Sequence, residues 1–461
     1  MPSPAPLKHR DPPHGYDRNV RQPPICSPAA VLLDRVRTEI GSAWDDDDIS
    51  ASPPRPVPLP SRLSVSDLAW ASVRAAGLAA GIHTPPDPDR IAMAYRSDRV
   101  LTVGGVAPDV WSPFSGFWRS RDGWVRTHGN YPHHAARLLA GLELPPGSGA
   151  EDLAAVIAGS TTSEAVAAIT ATGGLAVPVH AESPRTDAKL RATPLLEVIH
   201  SGREDAAPPS ARGHDHGSRP LAGIRVLDLT RVIAGPVCSR TLALLGADVL
   251  RVDPPHLGEP DWQHLDTGHG KRSILLDART GRFQELLDRA DVVVLGYRPS
   301  SLSTLGLSPE ALAARHPGLV IAQLSAWGAD APERAGFDSL VQAESGIALI
   351  ESPDWDRPGT LPAQALDHSA GYLLAAAVTG VLARRRREGG TWIIRTSLRR
   401  IAAELLGMPH ASEPEPERTM DLPAHTASFD VDGTTLITAG PALPGLVFAA
   451  PHRWASDQPA W

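Results

Sequence analysis

A doubly wound α/β domain with a mostly parallel sheet, preceded by a smaller α+β lobe, is predicted by three observations. Ile224 to Asp253 reads as a strand–helix–strand unit. Strand and helix patterns then alternate as far as Leu406, which implies a parallel sheet covered on both faces. The stretch Glu204–Pro220 (EDAAPPSARGHDHGSRP) has the composition of a linker and divides this region from an earlier globular one. The chain is therefore divided into a Pro-rich extension (1–60), an α+β lobe (61–203), a linker (204–220), the α/β domain (221–407) and a Pro-rich tail (408–461).

The unit Ile224–Asp253 organises the rest. Ile224 to Leu229 is a short apolar run rich in branched residues, as buried parallel strands are. Thr230 to Pro236 reads as a loop broken by Gly235-Pro236, and Cys238 to Leu245 has helical spacing. Gly246 fits the position just past a helix C-terminus, and Val249 to Val252 is the second strand. In doubly wound sheets the ligand lies outside the carboxyl ends of the strands, which points to the loop Arg231 to Pro236.

Earlier in the chain, Met1 to Pro24 is rich in proline and charge, and Ala51 to Pro60 is a stiff Pro-rich connector. Ala29 to Ile40 has helical apolar spacing and is expected as an isolated docking helix. The four acids Asp45 to Asp48 lack the spaced ligands and central glycine of a calcium loop, so a solvated turn is expected. Asp67 to Ala80 is helical and Arg99 to Val103 reads as a strand. Trp111 to Trp124 reads as a hairpin turning at Ser120 to Gly123, and His133 to Gly141 as a helix. Glu151 to Val179 gives two helices and a short strand, and Asp187 to Ser201 a helix and then a strand. His214 and His216 stand in the linker without a third ligand, so no metal site is expected.

Beyond the opening unit, strands are expected at Arg272–Leu276, Asp291–Leu295, Leu319–Leu324 and Trp392–Arg395. Helices are expected at Gly281–Arg289, Pro309–Arg315 and Leu398–Leu406, with Ala335–Ile350 helical as far as Gly346. Asp367 opens the longest helix, Ala370 to Arg387, whose four closing arginines suit a C-terminal dipole before Gly389-Gly390. Ala427 to Ala439 is hairpin-like.

Composition narrows the function. A net charge of −8 argues against a general nucleic-acid binder. Two cysteines, Cys26 and Cys238, argue against a disulfide framework or a cysteine-based metal site. No apolar run of membrane-spanning length and no signal-peptide core is read, so a cytoplasmic protein with no membrane partner is expected.

Five collinear pieces carry a resemblance. They are PLAGIRVLDLTRVIAGPVCSRTLALLGADVLRVD, HGKRSILLD, GYRPSSLSTLGLSPEALAARHPGLVIAQLSAWG, GFDSLVQAESG and QALDHSAGYLLAAAVTGVLARR. Together they make Leu221 to about Gly407 resemble the large domain of the family III CoA-transferases, also called the CaiB–BaiF family. The resemblance implies reversible transfer of CoA from an acyl-CoA donor to a carboxylic acid, with no metal and no cofactor beyond the CoA substrates. It places the nucleophile at Asp367, which would pass through an acyl–aspartyl anhydride and an aspartyl-CoA thioester. It also places Val232, Ile233 and Ala234 at the nucleotide end of CoA, with Leu276 and Arg279 at its adenine and phosphates, and it implies a homodimer.

Each residue also has a plainer reading. An Asp before an Ala/Leu helix is what an N-cap looks like, Leu276 can be core filling, and Arg279 a solvated helix start. Two departures from the family pattern stand out. Gly296 replaces an Asn common before the aromatic-Arg-Pro turn, and the segment resembling the small domain (61–203) precedes the large one. Two alternatives to the transferase stay open. One is an α-methylacyl-CoA racemase, in which a histidine would stand where Ala335-Gly336-Phe337-Asp338 has Phe337. The other is a catalytically inactive CoA-binding relative.

Overall fold

The structure, a computed structural model, describes residues 27–50, 55–201, 219–354 and 356–461. Its centre is a seven-stranded sheet. Strands Lys271–Leu275, Asp248–Asp253, Arg225–Leu229, Val292–Leu295, Val320–Ser325 and Thr391–Ser397 lie side by side in that order, all parallel. The chain starts at Arg225–Leu229, winds outward to Lys271–Leu275, and then returns to the other side of its first strand. The order therefore reverses between Arg225–Leu229 and Val292–Leu295, where a crevice opens at the strands' carboxyl ends.

The strands alternate their apolar residues between two cores. Val226, Val249, Val292, Val294, Val320 and Ala322 face one helical layer. Leu227, Leu250, Val293, Leu295 and Ile321 face the other, where Phe283, Leu286 and Leu312 lie. Burial on both faces explains why these strands read as continuous apolar runs. Through the first layer runs the helix Ala365–Glu388, which packs on Ala234–Leu244 and Val65–Ala79. The approach is close: a Cβ on Gly371 would lie 2.7 Å from the carbonyl oxygen of Ala234. Four residues before Gly371, Asp367 is thereby fixed beside the start of the first sheet helix.

That 24-residue helix is, among the described residues, the one long and apolar enough to cross a membrane, contrary to the expectation that none reaches that length. Its apolar stretch is buried inside the fold, as that of a core helix in a large domain is, and only its closing turn reaches the surface.

Several expected elements differ. The loop after the first strand is shorter than Thr230–Pro236, because the helix begins at Ala234 and takes Gly235-Pro236 into its first turn, where the missing proline N–H costs nothing. Pro28–Ile40 is no isolated helix: Ala29, Leu32, Leu33, Val36 and Ile40 are buried in the main core. Asp45, Asp46 and Asp47 are solvent-exposed as expected, but the run is not a turn. Asp46–Ser50 is a short helix in which Asp48 pairs with the buried Arg74 at 2.6 Å and with His83 at 2.8 Å. Ser97–Val100 is helical, so only Thr102–Val103 of the expected strand remains, paired with the hairpin Thr426–Val431/Thr434–Ala439.

The lobe expected over 61–203 is narrower. Val65–Ala79 packs in the main core, and Glu197–Ser201 pairs antiparallel with Thr391–Ser397 as the outermost strand of the main sheet. What stands apart is the small antiparallel sheet Phe117–Arg119, Trp124–Thr127 and Ala176–Pro178, with its own core of Val125, Leu138, Leu153, Ile157 and Ile169. The hairpin does turn at Ser120–Gly123. Met1–Pro24, Cys26, His214 and His216 lie outside the described residues.

At the other rim of the main sheet, the chain after Ala449 lies along Lys271–Leu275. The Ser273 N–H donates to Asp457 at 2.8 Å, Asp457 N–H returns to the Ser273 carbonyl at 3.0 Å, and Trp461 Nε1 bonds the Leu286 carbonyl.

Candidate active site

A cavity of about 720 Å³ opens at the switch point. Its walls include the loop after the first strand, the turn Gly296–Pro299, the stretch Arg334–Phe337 and, from the small lobe, Tyr131, His133, His134 and Arg137. All six residues singled out from the sequence, Val232, Ile233, Ala234, Leu276, Arg279 and Asp367, line this one cavity.

The loop Thr230–Ile233 is held from beneath by buried charges. Asp228, fully buried, accepts from the hydroxyls of Thr230 and Ser239 and pairs with Lys271 Nζ at 3.1 Å. Lys271 also donates to the Pro236 carbonyl at 2.9 Å, and burial pulls its pKa down to about 8. Glu259 holds the other side of the loop, pairing with Arg231 at 2.7 Å and Arg251 at 3.3 Å and accepting the Val232 N–H at 3.2 Å. Val232 needs that hold. Its φ of 73° is a left-handed conformation that a β-branched residue pays for, so the network keeps the loop in a costly but defined shape.

Gly296, the departure from the family pattern, has a steric cause. A Cβ there would lie 3.1 Å from the Thr230 side chain, tighter than ordinary contact. The Thr230 side chain takes up the room that a larger residue at 296 would need.

Asp367 is not the N-cap of its helix. Ala365 is the first helical residue and Gln364 the cap position, which puts Asp367 third in the helix. Its carboxylate accepts no hydrogen bond among the described residues and lies on the cavity wall, 6% exposed. The backbone N–H of Asp367 donates to Asp338 Oδ2 at 2.9 Å, and Asp338 also accepts from Gln342. Burial first, and the charge of Asp338 second, hold the Asp367 carboxyl well above the ordinary carboxylate range. Asp338 is itself raised to about 6 by burial, against the opposing hydrogen bonds. His368 points away into the core, stacked on Tyr95 at 5.0 Å.

Leu276 borders both the cavity and the second core, so its two readings coincide. Arg279 is open to solvent, with a loose pair to Asp277 at 3.4 Å. Arg298, on the cavity rim, makes no ion pair among the described residues. Sequence reasoning passed over Asp338, Glu259 and the lobe residues Tyr131 and His134. The one signal for Asp338 is its place in the GFDSL piece; Glu259 and the lobe residues carry none.

Residues 221–430 match the model of CoA-transferase family III. The chain is 32% identical over 228 residues to a probable fatty acyl-CoA transferase of Mycobacterium tuberculosis, covering 43% of this chain and 58% of that protein. It is 35% identical over 190 residues to a succinyl-CoA–D-citramalate CoA-transferase of Chloroflexus aurantiacus, covering 37% and 47%. A solved CaiB/BaiF family protein from Brucella suis aligns at 26% identity and a TM-score of 0.37, covering 49% of this chain and 67% of that one. The chain spans about half the length of the curated relatives it matches.

Proposed function

Since residues 221–430 match the model of CoA-transferase family III, we propose that this protein transfers CoA between an acyl thioester and a carboxylic acid, with Asp367 as nucleophile. The observation that carries the reading is the Asp367 carboxylate, unbonded on the cavity wall beside the loop Val232–Ala234.

The steps balance without an added reagent. An Asp367 carboxylate oxygen attacks the thioester carbonyl, the C–S bond breaks, and CoA leaves as thiolate from a mixed anhydride. The thiolate attacks the Asp367 carbonyl carbon and expels the donor acid as carboxylate, leaving an aspartyl-CoA thioester. An acceptor carboxylate then attacks that thioester, and the thiolate returns to the new acyl group, restoring Asp367. Splitting one acyl exchange into such steps is what covalent catalysis achieves. The positive end of the dipole of a 24-residue helix lies beside Asp367 and favours the negative charge that develops in each step. The test is exchange of label between a radiolabelled acid and its CoA thioester, with hydroxylamine trapping of the activated carboxyl. Exchange with a hydroxamate at Asp367 is expected; exchange without modification there would remove Asp367 from the role.

Two further results are expected. The attacking form of Asp367 is the carboxylate, so the rate should rise with pH as that raised group ionises. Asp338→Asn removes the neighbouring negative charge and should move the acidic limb of the kcat/KM profile to lower pH. An unmoved limb would mean that Asp338 does not act on the titrating group. For CoA, Arg279→Glu should weaken binding by about 10-fold in calorimetry, the loss of one charge-assisted phosphate contact. Its Tm should hardly move, since Arg279 is 71% exposed and its surface pair is worth little.

A further inference from the structure

The helix Pro132–Gly141 of the small lobe sets His134 and Arg137 one turn apart on one face, and both line the cavity that Asp367 lines. Just before this helix the lobe is tied to the ligand loop. The Arg231 guanidinium lies 4.7 Å from the ring centre of Tyr131, whose hydroxyl reaches Glu259 at 3.4 Å. Arg137 runs along Gly173, where a Cβ would lie 3.6 Å from its side chain. Arg298 comes to the same cavity from the large domain, at the turn after Val292–Leu295. Arg137 and Arg298 are both exposed, and neither side chain makes a hydrogen bond or an ion pair among the described residues. The other arginines of the wall are engaged: Arg231 with Glu259, Arg334 with Glu344, and Arg279 loosely with Asp277.

His134 stands among these side chains. Burial first, then His133 and the charges of Arg137, Arg231 and Arg298, pull its pKa down to about 3, so three guanidiniums surround one neutral ring. Like charges gathered over a cavity repel one another, and an anion that enters between them removes that cost. A planar guanidinium fork matches the oxygens of a phosphate. Position selects which phosphate. Leu276 and Arg279, read as adenine and phosphate contacts, follow the rim strand Lys271–Leu275, whereas Arg298 follows a strand three places further in, about 14 Å away at the usual strand spacing. The 3′-phosphate of CoA hangs on the adenosine and so stays beside Arg279. The pyrophosphate is the next anionic group on the way from the adenine to the thiol that must reach Asp367, and it carries one charge on each phosphate.

We propose that Arg137 of the lobe and Arg298 of the large domain hold the pyrophosphate of CoA between them, so that the small lobe, which precedes the large domain in this chain, completes the CoA site. The identity of the ligand rests on the CoA-transfer reading. The anion site rests on the two unpaired arginines.

The experiment is calorimetry of the full chain with CoA and with 3′-dephospho-CoA, which keeps the pyrophosphate and lacks the 3′-phosphate. Arg137→Gln and Arg298→Gln should each weaken both ligands by about 10-fold, the loss of one charge-assisted contact. Arg279→Glu should weaken CoA by a similar factor and leave 3′-dephospho-CoA nearly as it was. Both Gln variants replace exposed, unpaired side chains, and if one of them does not fold the other decides the matter. Unchanged affinity for CoA in a folded Gln variant would overturn the proposal. So would a loss seen with CoA and absent with 3′-dephospho-CoA, which would move the arginine to the 3′-phosphate, and so would a wild type that binds neither ligand. CoA held through Arg137 by a protein that exchanges no label would sink the transferase reading and leave the anion site standing. Label exchange with CoA affinity indifferent to Arg137 would do the reverse.

Discussion

Asp367→Asn should lower CoA transfer by roughly 10⁴-fold or more, the scale of losing a covalent nucleophile, while CoA still binds. Asn nearly matches Asp in volume, and the one hydrogen bond Asp367 makes to Asp338 uses its backbone N–H, which the substitution keeps. Stability should hold or rise, because an amide removes one of two buried acids that repel each other. A helix cap would behave differently: Asn caps as well as Asp, so such a variant would stay active. The Gln364 cap position already speaks against capping. Label exchange on freshly prepared variant, checked by mass for deamidation back to Asp, decides the matter. Activity near that of wild type would end the nucleophile assignment.

Lys271→Met should cost about 3–5 kcal/mol of stability, the range for breaking a buried ion pair from one side. Lys271 and Asp228 are both fully buried, and removal of the ammonium leaves the Asp228 carboxylate with only the Thr230 and Ser239 hydroxyls. The Pro236 carbonyl loses one of its donors as well, at the first turn of the helix that follows the ligand loop. CoA affinity should therefore fall along with stability. Urea unfolding of Lys271→Met, Asp228→Asn and the double variant measures the coupling, and the double variant should lose less than the sum of the two single losses. Strict additivity would mean that the pair does not act as a unit.

The sheet was legible because its strands are buried on both faces, and continuous runs such as Val292–Leu295 have few other uses in a chain of this composition. Asp367 and the Val232–Ala234 loop were legible through the resemblance, since both lie in pieces that match in order. Elements whose role depends on distant partners were not. Pro28–Ile40 carries the same apolar spacing whether it docks alone or fills the core, and only the neighbouring helices decide which. Glu197–Ser201 joins a strand almost two hundred residues away, and nothing local announces the pairing. Arg126 and Trp111 have ordinary hairpin surroundings in sequence, and it is the fold that buries one beside the other.

The chain after Ala449 has a consequence for behaviour in concentrated solution. A parallel sheet ends in strands whose outer backbone groups are open to any extended peptide, and such rims are where native proteins stick to one another. Here the rim strand Lys271–Leu275 is occupied at its middle by Asp457, which exchanges hydrogen bonds with Ser273 on both sides of the peptide unit. Trp454 bonds Asp253 from the same segment, and Trp461 reaches over to the Leu286 carbonyl. The segment works as a guard against strand addition, so the first sign of its detachment would be self-association in solution, with the ligand cavity at the switch point still intact.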